Sequence, residues 1–279
     1  MTAFPATNWM SGRLLGADEA SIRADDRGLI GDGVFEVLKV VEGIPFARRR
    51  HLRRLAASAD PLGIELDFDE IDAGMSAVVS LPHVVATPCW LRITVTGGPA
   101  AMGKAEEGRR STVVVSAAPL PVWDSACDAI VVPWRRNERG ALTGLKTLSY
   151  IENGVALRYA RRHGADEGIF ANTLGNLCEG SGTNVFVVLD GEITTPPLSA
   201  GALDGITRQL VLEWMPDIVV ADLPIEALAE CDEAFVTATS RDVHPVGTFD
   251  GRSLRVVRGE LTAEVIACFE ERSAADPDP

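Results

Sequence analysis

The sequence predicts an α/β protein, α+β in detail, divided into two domains. Its 279 residues are enough for two domains of ordinary size. Runs of alternating, β-branched character are interleaved with runs at helical spacing, which calls for layers of sheet and helix. Pro119-Leu120-Pro121 holds the chain extended and suits a crossing between domains. The predicted boundaries are 1–118 for an N-terminal α/β domain, 119–124 for the linker and 125–279 for a C-terminal α/β domain.

In the first half, residues 8–24 read as two short strands about a turn at Ser11-Gly12, with Asp18-Glu19-Ala20 in the loop that follows. Gly28, Gly31 and Gly33 precede an alternating strand over 34–41, which enters a hairpin at Glu42-Gly43. Helical spacing covers 51–59, with Leu52, Leu55, Ala56 and Ala59 apolar, and then 68–80. Strands are predicted over 90–96 and 112–117.

The second half opens with a strand at 129–133 and a helix at 150–162 that stops at His163-Gly164, with arginines in its last turns. Strands follow at 168–171, 184–189 and 192–195, the last two joined by the hairpin signal Asp190-Gly191. A helix over 205–215 and a strand over 234–238 complete the pattern. The acidic, proline-bearing tail from about Ser273 reads as disordered.

Composition narrows the function. An apolar fraction of 46% with 24% charged residues belongs to a globular protein with a buried core. A net charge of −14 argues against a nucleic-acid partner, because phosphate binding needs a basic surface. No apolar run reaches the roughly 18 residues of a membrane span, and the first residues lack the pattern of a secretory signal. Five scattered cysteines without Cys-x-x-Cys spacing fit reduced, buried thiols in a cytoplasmic protein. Four histidines, none spaced to share a helix face with another, make a metal site improbable. Phosphate loops of the Walker type and the Gly-x-Ser-x-Gly elbow are absent.

Five places in the chain invite chemistry. Lys146, in Gly144-Leu145-Lys146-Thr147-Leu148, lies between apolar neighbours before a helix, in a chain with few lysines. Desolvation there would lower its pKa and make its amine a nucleophile fit for a Schiff base; a solvated surface lysine is the plainer alternative. Glu179, in the glycine-rich break Cys178-Glu179-Gly180-Ser181-Gly182-Thr183-Asn184, reads by itself as a charge at a hairpin end. Gly205-Ile206-Thr207-Arg208 is either a phosphate-binding helix start or an ordinary capping turn. Arg54 by itself reads as a helix surface charge, and Thr239 as part of an ordinary turn.

Together these pieces resemble the class IV aminotransferases, fold type IV enzymes that use pyridoxal 5′-phosphate (PLP). The resemblance spans residues 10–250. It is carried by Asp26-Arg27-Gly28, Gly31-Asp32-Gly33-Val34-Phe35-Glu36, His51-Leu52-Arg53-Arg54-Leu55, Lys146, Glu179 through Phe186, Gly205 through Arg208, and Thr239 through Val246. It implies two α/β domains with the cofactor at their interface, in a homodimer acting on a small-molecule substrate. Lys146, in the C-terminal domain, would hold the cofactor as a Schiff base and move protons. Glu179 would pair with the pyridine nitrogen, and Arg54, Ile206, Thr207 and Thr239 would bind the phosphate. Phe35, Arg92 with its strand and the loop to Gly103, Tyr150, Asn153, Gly182 and Thr183 would lie on the substrate side.

Within the family, the chain lacks the Lys-x-x-Gly-Asn-Tyr pattern of branched-chain aminotransferases. It has Phe35 where D-amino acid aminotransferases have tyrosine, and residues 97–110 contain Arg109 and Arg110 but no histidine for an Arg-x-His carboxylate trap. Lys146-Thr147-x-x-Tyr150-x-x-Asn153 and the run from Arg92 to Gly98 look most like aminodeoxychorismate lyases. The reading is therefore conversion of 4-amino-4-deoxychorismate to 4-aminobenzoate and pyruvate, a step of folate biosynthesis. The alternative is transamination of D-amino or branched-chain amino acids. A non-catalytic binding protein on the same scaffold is the reading from another class.

Overall fold

The computed structural model describes residues 4–16, 19, 22–100 and 110–279. The expectations on residues 1–3, Asp18, Ala20, the loop end at Gly103 and Arg109 lie outside them. The chain divides into two compact units: Met1–Pro121 with Leu145–Tyr150 and Asp276–Pro279, and Val122–Gly144 with Ile151–Ala275.

The first unit contains, in order, β1 (Thr7–Met10), β2 (Arg13–Leu15), β3 (Gly33–Val41), β4 (Ile44–Pro45), α1 (Arg48–Ala59), α2 (Phe68–Val79), α3 (Pro82–Ala86), β5 (Cys89–Thr96) and β6 (Thr112–Pro119). Its six strands form an antiparallel sheet ordered β2-β1-β6-β5-β3-β4. Alternation puts Val34, Leu38 and Val40 of β3 and Leu91, Ile93 and Val95 of β5 into one core with Leu55 of α1 and Ile71, Met75 and Val78 of α2. Each such side chain contributes about 1.5–3 kcal/mol on full burial. Gly74 lets α2 lie close to the sheet, since a Cβ there would sit 2.6 Å from the Trp9 ring. The opposite parity of β3 and β5 places Phe35, Arg92 and Thr94 on the face away from these helices.

Two expectations change in this unit. The segment around Lys146, expected in the C-terminal domain, packs with the first unit. β4 pairs only Val40 and Val41, so the first half of β3 keeps an open edge, which Thr147 occupies by bridging Val34. The tail expected to be disordered is also ordered. α7 runs to Ala275, and the Pro277 carbonyl accepts from the Ala47 N–H at 2.7 Å. The Asp278 carboxylate accepts from Arg49 N and Nε, both at 2.9 Å. Ala47 has no side chain with which to cap α1, and an anion at a helix N-terminus beside Arg48, Arg49 and Arg50 fills that role.

The second unit contains β7 (Cys127–Arg136), α4 (Ile151–Arg162), β8 (Glu167–Asn172), β9 (Leu177–Gly180), β10 (Asn184–Leu189), β11 (Glu192–Thr195), α5 (Ile206–Trp214), β12 (Val219–Val220), α6 (Ala227–Glu230), β13 (Glu233–Ala238), β14 (Asp242–Phe249), β15 (Arg252–Ser253) and α7 (Glu260–Ala275). Its nine strands follow the order β12-β11-β10-β13-β14-β7-β8-β9, with β15 beside β14. β7 and β8 are parallel, and α4 supplies the crossover that parallel neighbours require. The Asp190-Gly191 hairpin forms as the sequence predicts, with φ of 50° and 80° at the two turn residues. Gly164 likewise ends α4 at φ 79°. All five cysteines are free thiols, and among the described residues no helix is long and apolar enough to cross a membrane.

Candidate active site

In the first unit, Lys146 is held from both sides of its backbone. Its carbonyl accepts from Phe35 N–H at 3.0 Å, and its N–H donates to Ser58 Oγ at 3.0 Å. Leu148 N–H donates to the Gly33 carbonyl at 2.8 Å. Gly33 is what admits the segment, because a Cβ there would meet Leu148 Cδ1 at 2.5 Å and the Val95 carbonyl at 2.7 Å. The Lys146 Nζ then lies 4.4 Å from the Phe35 ring centroid and 5.2 Å from that of Tyr150. Those two rings meet edge to face at 5.3 Å. The Arg92 guanidinium carbon stands 3.9 Å from the Phe35 centroid, and burial lowers the pKa of this arginine. Lys146, Phe35, Tyr150 and Arg92 thus form one cluster.

Behind that cluster, α1 presents His51, Arg54 and Ser58 at helical spacing. Arg54 Nε and Nη2 donate to the two Glu36 oxygens at 2.7 and 2.8 Å, and His51 Nδ1 lies 2.7 Å from Glu36 Oε2. Glu36 is fully buried. Burial opposes its ionisation, but the Arg54 charge and hydrogen bonds, joined by His51, outweigh that cost and hold the carboxyl well below the usual carboxylate range. Burial lowers the His51 pKa, Glu36 opposes the shift, and Arg54 and Lys146 add to it. Arg54, expected as a phosphate ligand, is therefore engaged with a carboxylate of its own unit.

In the second unit, Glu179 sits within β9, opposite Phe170, and is buried rather than displayed at a hairpin end. Its Oε2 accepts from Leu203 N–H at 2.8 Å, and its Oε1 lies 3.2 Å from Arg136 Nη2. Arg136 also pairs with Glu152 and covers the Phe170 ring at 4.2 Å. Its Nε and Nη2 are buried without a hydrogen bond of good geometry among the described residues, so its link to Glu179 is an ion pair.

Asn184 Nδ2 donates to the Leu203 carbonyl at 2.8 Å, and a Cβ on Gly205 would sit 2.0 Å from Asn184 Oδ1. Glu179 and Asn184 together therefore clamp the turn that leads into α5. At the start of α5, Gly205 is the N-cap without a side-chain cap, and Ile206 and Thr207 are buried there. Thr239 follows β13, whose Thr237 Oγ1 is buried without a hydrogen-bond partner among the described residues, as is Thr183 Oγ1. Asn153, in the first turn of α4, donates to the Ser181 carbonyl at 2.9 Å; it belongs to this unit, whereas Tyr150 belongs to the first. Gly182 and Thr183 lie in the loop after β9.

Sequence reasoning passed over Glu36, His51, Ser58, Arg136 and Asn184 as functional side chains. The signal for Glu36 was available, since strand parity puts it on the core side with Val34 and Leu38, where a carboxylate needs partners.

The family model described as amino-transferase class IV matches residues 33–249. The chain is 29% identical over 260 residues to the D-alanine aminotransferase of Bacillus licheniformis, covering 88% of each sequence. A crystal structure of the Escherichia coli branched-chain amino acid aminotransferase superposes with a TM-score of 0.85 at 28% identity, over 96% of this chain and 94% of that one. A proposed 4-amino-4-deoxychorismate lyase of Legionella pneumophila superposes with a TM-score of 0.83 at 26% identity, over 91% and 96%.

Proposed function

Since the chain belongs to the class IV aminotransferase family, we propose that it is an aminotransferase that moves the amino group of a branched-chain or D-amino acid to a 2-oxo acid. Its cofactor is pyridoxal phosphate. The donor set fits that group. An amine for its aldehyde is present in Lys146, and a buried carboxylate for its pyridine nitrogen in Glu179. The uncapped start of α5 and the threonine hydroxyls near it suit a phosphate. When bound, the cofactor supplies an electron sink that makes the proton on the amine-bearing carbon of a substrate removable.

Lys146 would be the attachment point for the cofactor and the group that carries that proton. Glu179, held by Leu203 N–H and Arg136, would pair with the ring nitrogen. Ile206, Thr207 and Thr239 would take the phosphate, and Arg54, already bidentate on Glu36, steadies α1 behind Lys146 while remaining a candidate for that anion. Arg92 on the Phe35 face is the candidate for the substrate carboxylate, with Phe35, Tyr150, Asn153, Gly182 and Thr183 as the surrounding surface.

The observation that carries the reading is the Lys146 amine seated against the Phe35 and Tyr150 rings, on a backbone anchored to β3 and α1. The similarity to branched-chain and D-alanine aminotransferases supports transamination over the lyase reaction expected from the sequence. The lyase is the second reading, favoured by Tyr150 and Asn153 and by the Legionella neighbour. A homodimer is the proposed assembly. It would cover the exposed Leu29 and Ile30, and elution of the purified protein at the monomer volume would count against it.

The test is to purify the protein with PLP and assay branched-chain L-amino acids and D-amino acids with 2-oxoglutarate, beside 4-amino-4-deoxychorismate. Amino transfer with no release of 4-aminobenzoate is expected; release of 4-aminobenzoate and pyruvate would move the assignment to the lyase. Lys146→Ala should lose both the visible band of the attached cofactor and all turnover. A band that survives this substitution would refute the lysine assignment.

A further inference from the structure

Glu167 is the first residue of β8, a strand whose six residues are all buried, and it is itself 2% exposed. A carboxylate in such a place needs strong partners. One oxygen, Oε1, accepts from the Ser181 hydroxyl and from Gly182 N–H at 3.3 Å. The other, Oε2, lies 3.5 Å from Arg241 Nη2, in an ion pair whose side chains are 2% and 5% exposed.

Each partner belongs to a different loop. Residues 180–183 follow Glu179 directly, and the Ser181 N–H is also tied to the Gly168 carbonyl at 2.8 Å. Gly180 keeps the loop down on the carboxylate, because a Cβ there would meet Glu167 Cγ and Cδ at 3.2 Å and Thr183 Oγ1 at 2.1 Å. Arg241 ends the turn that carries Thr239. Its N–H donates to the Ala238 carbonyl at 3.1 Å, and its guanidinium lies 3.9 Å from the centroid of a Trp123 ring. The Trp123 indole in turn donates to the Ser240 carbonyl at 2.8 Å. Arg241 Nη1 is buried without a hydrogen-bond partner among the described residues, while Nη2 also donates to the Asp166 carbonyl at 3.4 Å and pairs with the Glu167 carboxylate.

We propose that Glu167 is a positioning residue: its single carboxylate ties the loop behind Glu179 to the turn bearing Thr239 and thereby sets how tightly the second unit grips the cofactor. The inference rests on the functional reading above, in which Glu179 and Thr239 both face that cofactor. Glu167 touches neither substrate nor cofactor in this scheme. It acts through Ser181, Gly182 and Arg241.

The test is spectroscopic titration of the apo-protein with PLP, for the wild type, Glu167→Gln, Arg241→Gln and the double variant. Glutamine keeps an acceptor for Ser181 and Gly182 but offers no charge to Arg241. Each single variant should raise the Kd for PLP about tenfold, and the double variant should be no weaker than about either single one, since all break one pair. The position of the visible band at saturating PLP should not move, because Lys146 and Glu179 are intact. A Kd within about twofold of wild type in Glu167→Gln, even with a lowered melting temperature, would make the role purely structural and overturn the proposal. Should that variant fail to fold, an unchanged Kd in Arg241→Gln overturns it equally. A wild-type protein that takes up no PLP would overturn the functional reading and this inference with it.

Discussion

Lys146 owes its setting to a glycine on another strand. Gly33 leaves no side chain between β3 and Leu148, so the lysine backbone can hydrogen-bond to β3. Gly33→Ala would put a Cβ 2.7 Å from the Val95 carbonyl, which is backbone and cannot step aside. The expected result is a loss of about 1–3 kcal/mol on chemical denaturation, with a weakened cofactor band at equal PLP. Wild-type stability and uptake in this variant would show that the docking of residues 145–148 does not depend on Gly33. Phe35 and Arg92 meet with the guanidinium over the ring. Both were legible as substrate-side candidates, and strand parity explains why they share a face. Glu36 was quoted only as part of a motif, because its partners come from α1, some fifteen residues further on and more.

Among the elements, α5 depends most on residues outside itself. Its N-terminus lacks a side-chain cap, and the turn before it is fixed by Glu179 on one side and Asn184 on the other. Asn184→Ala removes the hydrogen bond to the half-buried Leu203 carbonyl, at about 0.5–1.5 kcal/mol. Thermal unfolding should register this loss, and PLP affinity should fall with it. Retained affinity would mean that the turn holds without the clamp.

The elements read from the sequence were those with a clean period. β3, α1, α2, α4, β10 and β11 lie within a residue or a few of their predicted bounds. β9, β14 and α7 were not recognised. β9 contains Glu179-Gly180, which reads as a break and becomes a strand only through pairing with β8. In α7 the buried Thr262, Val265, Ile266 and Phe269 do follow helical spacing, but Ala263 and Cys268 on other faces blur the stripe.

At the scale of the molecule, stability should depend on pH through its buried histidines. Burial lowers the pKa of both His51 and His244. A depressed folded-state pKa means that the unfolded chain takes up the proton first as the pH falls. The contribution is therefore complete above the unfolded histidine value of about 6.5 and is lost progressively below it. Glu36 has the same sign at lower pH: its contribution is present above the unfolded carboxylate value of about 4.3 and declines as acid titrates towards its depressed folded value. Melting temperature should accordingly fall from about pH 6.5 downward, and His51→Asn should flatten part of that slope while His244 keeps the rest. A melting temperature flat between about pH 7 and pH 5 would contradict this.

By itself the sequence determined the fold class, the family and the cofactor, and it proposed which residues are offered to that cofactor. Those follow from local periodicity and from motifs of a few residues, which are complete within a short stretch of chain. Only the tertiary structure decided that residues 145–150 pack on the first unit, that the tail caps α1, and that Glu179 lies buried in a strand. Each of these depends on an edge, an uncapped helix end or a counter-charge that a distant segment supplies. A short window of sequence carries no record of which distant segment that will be.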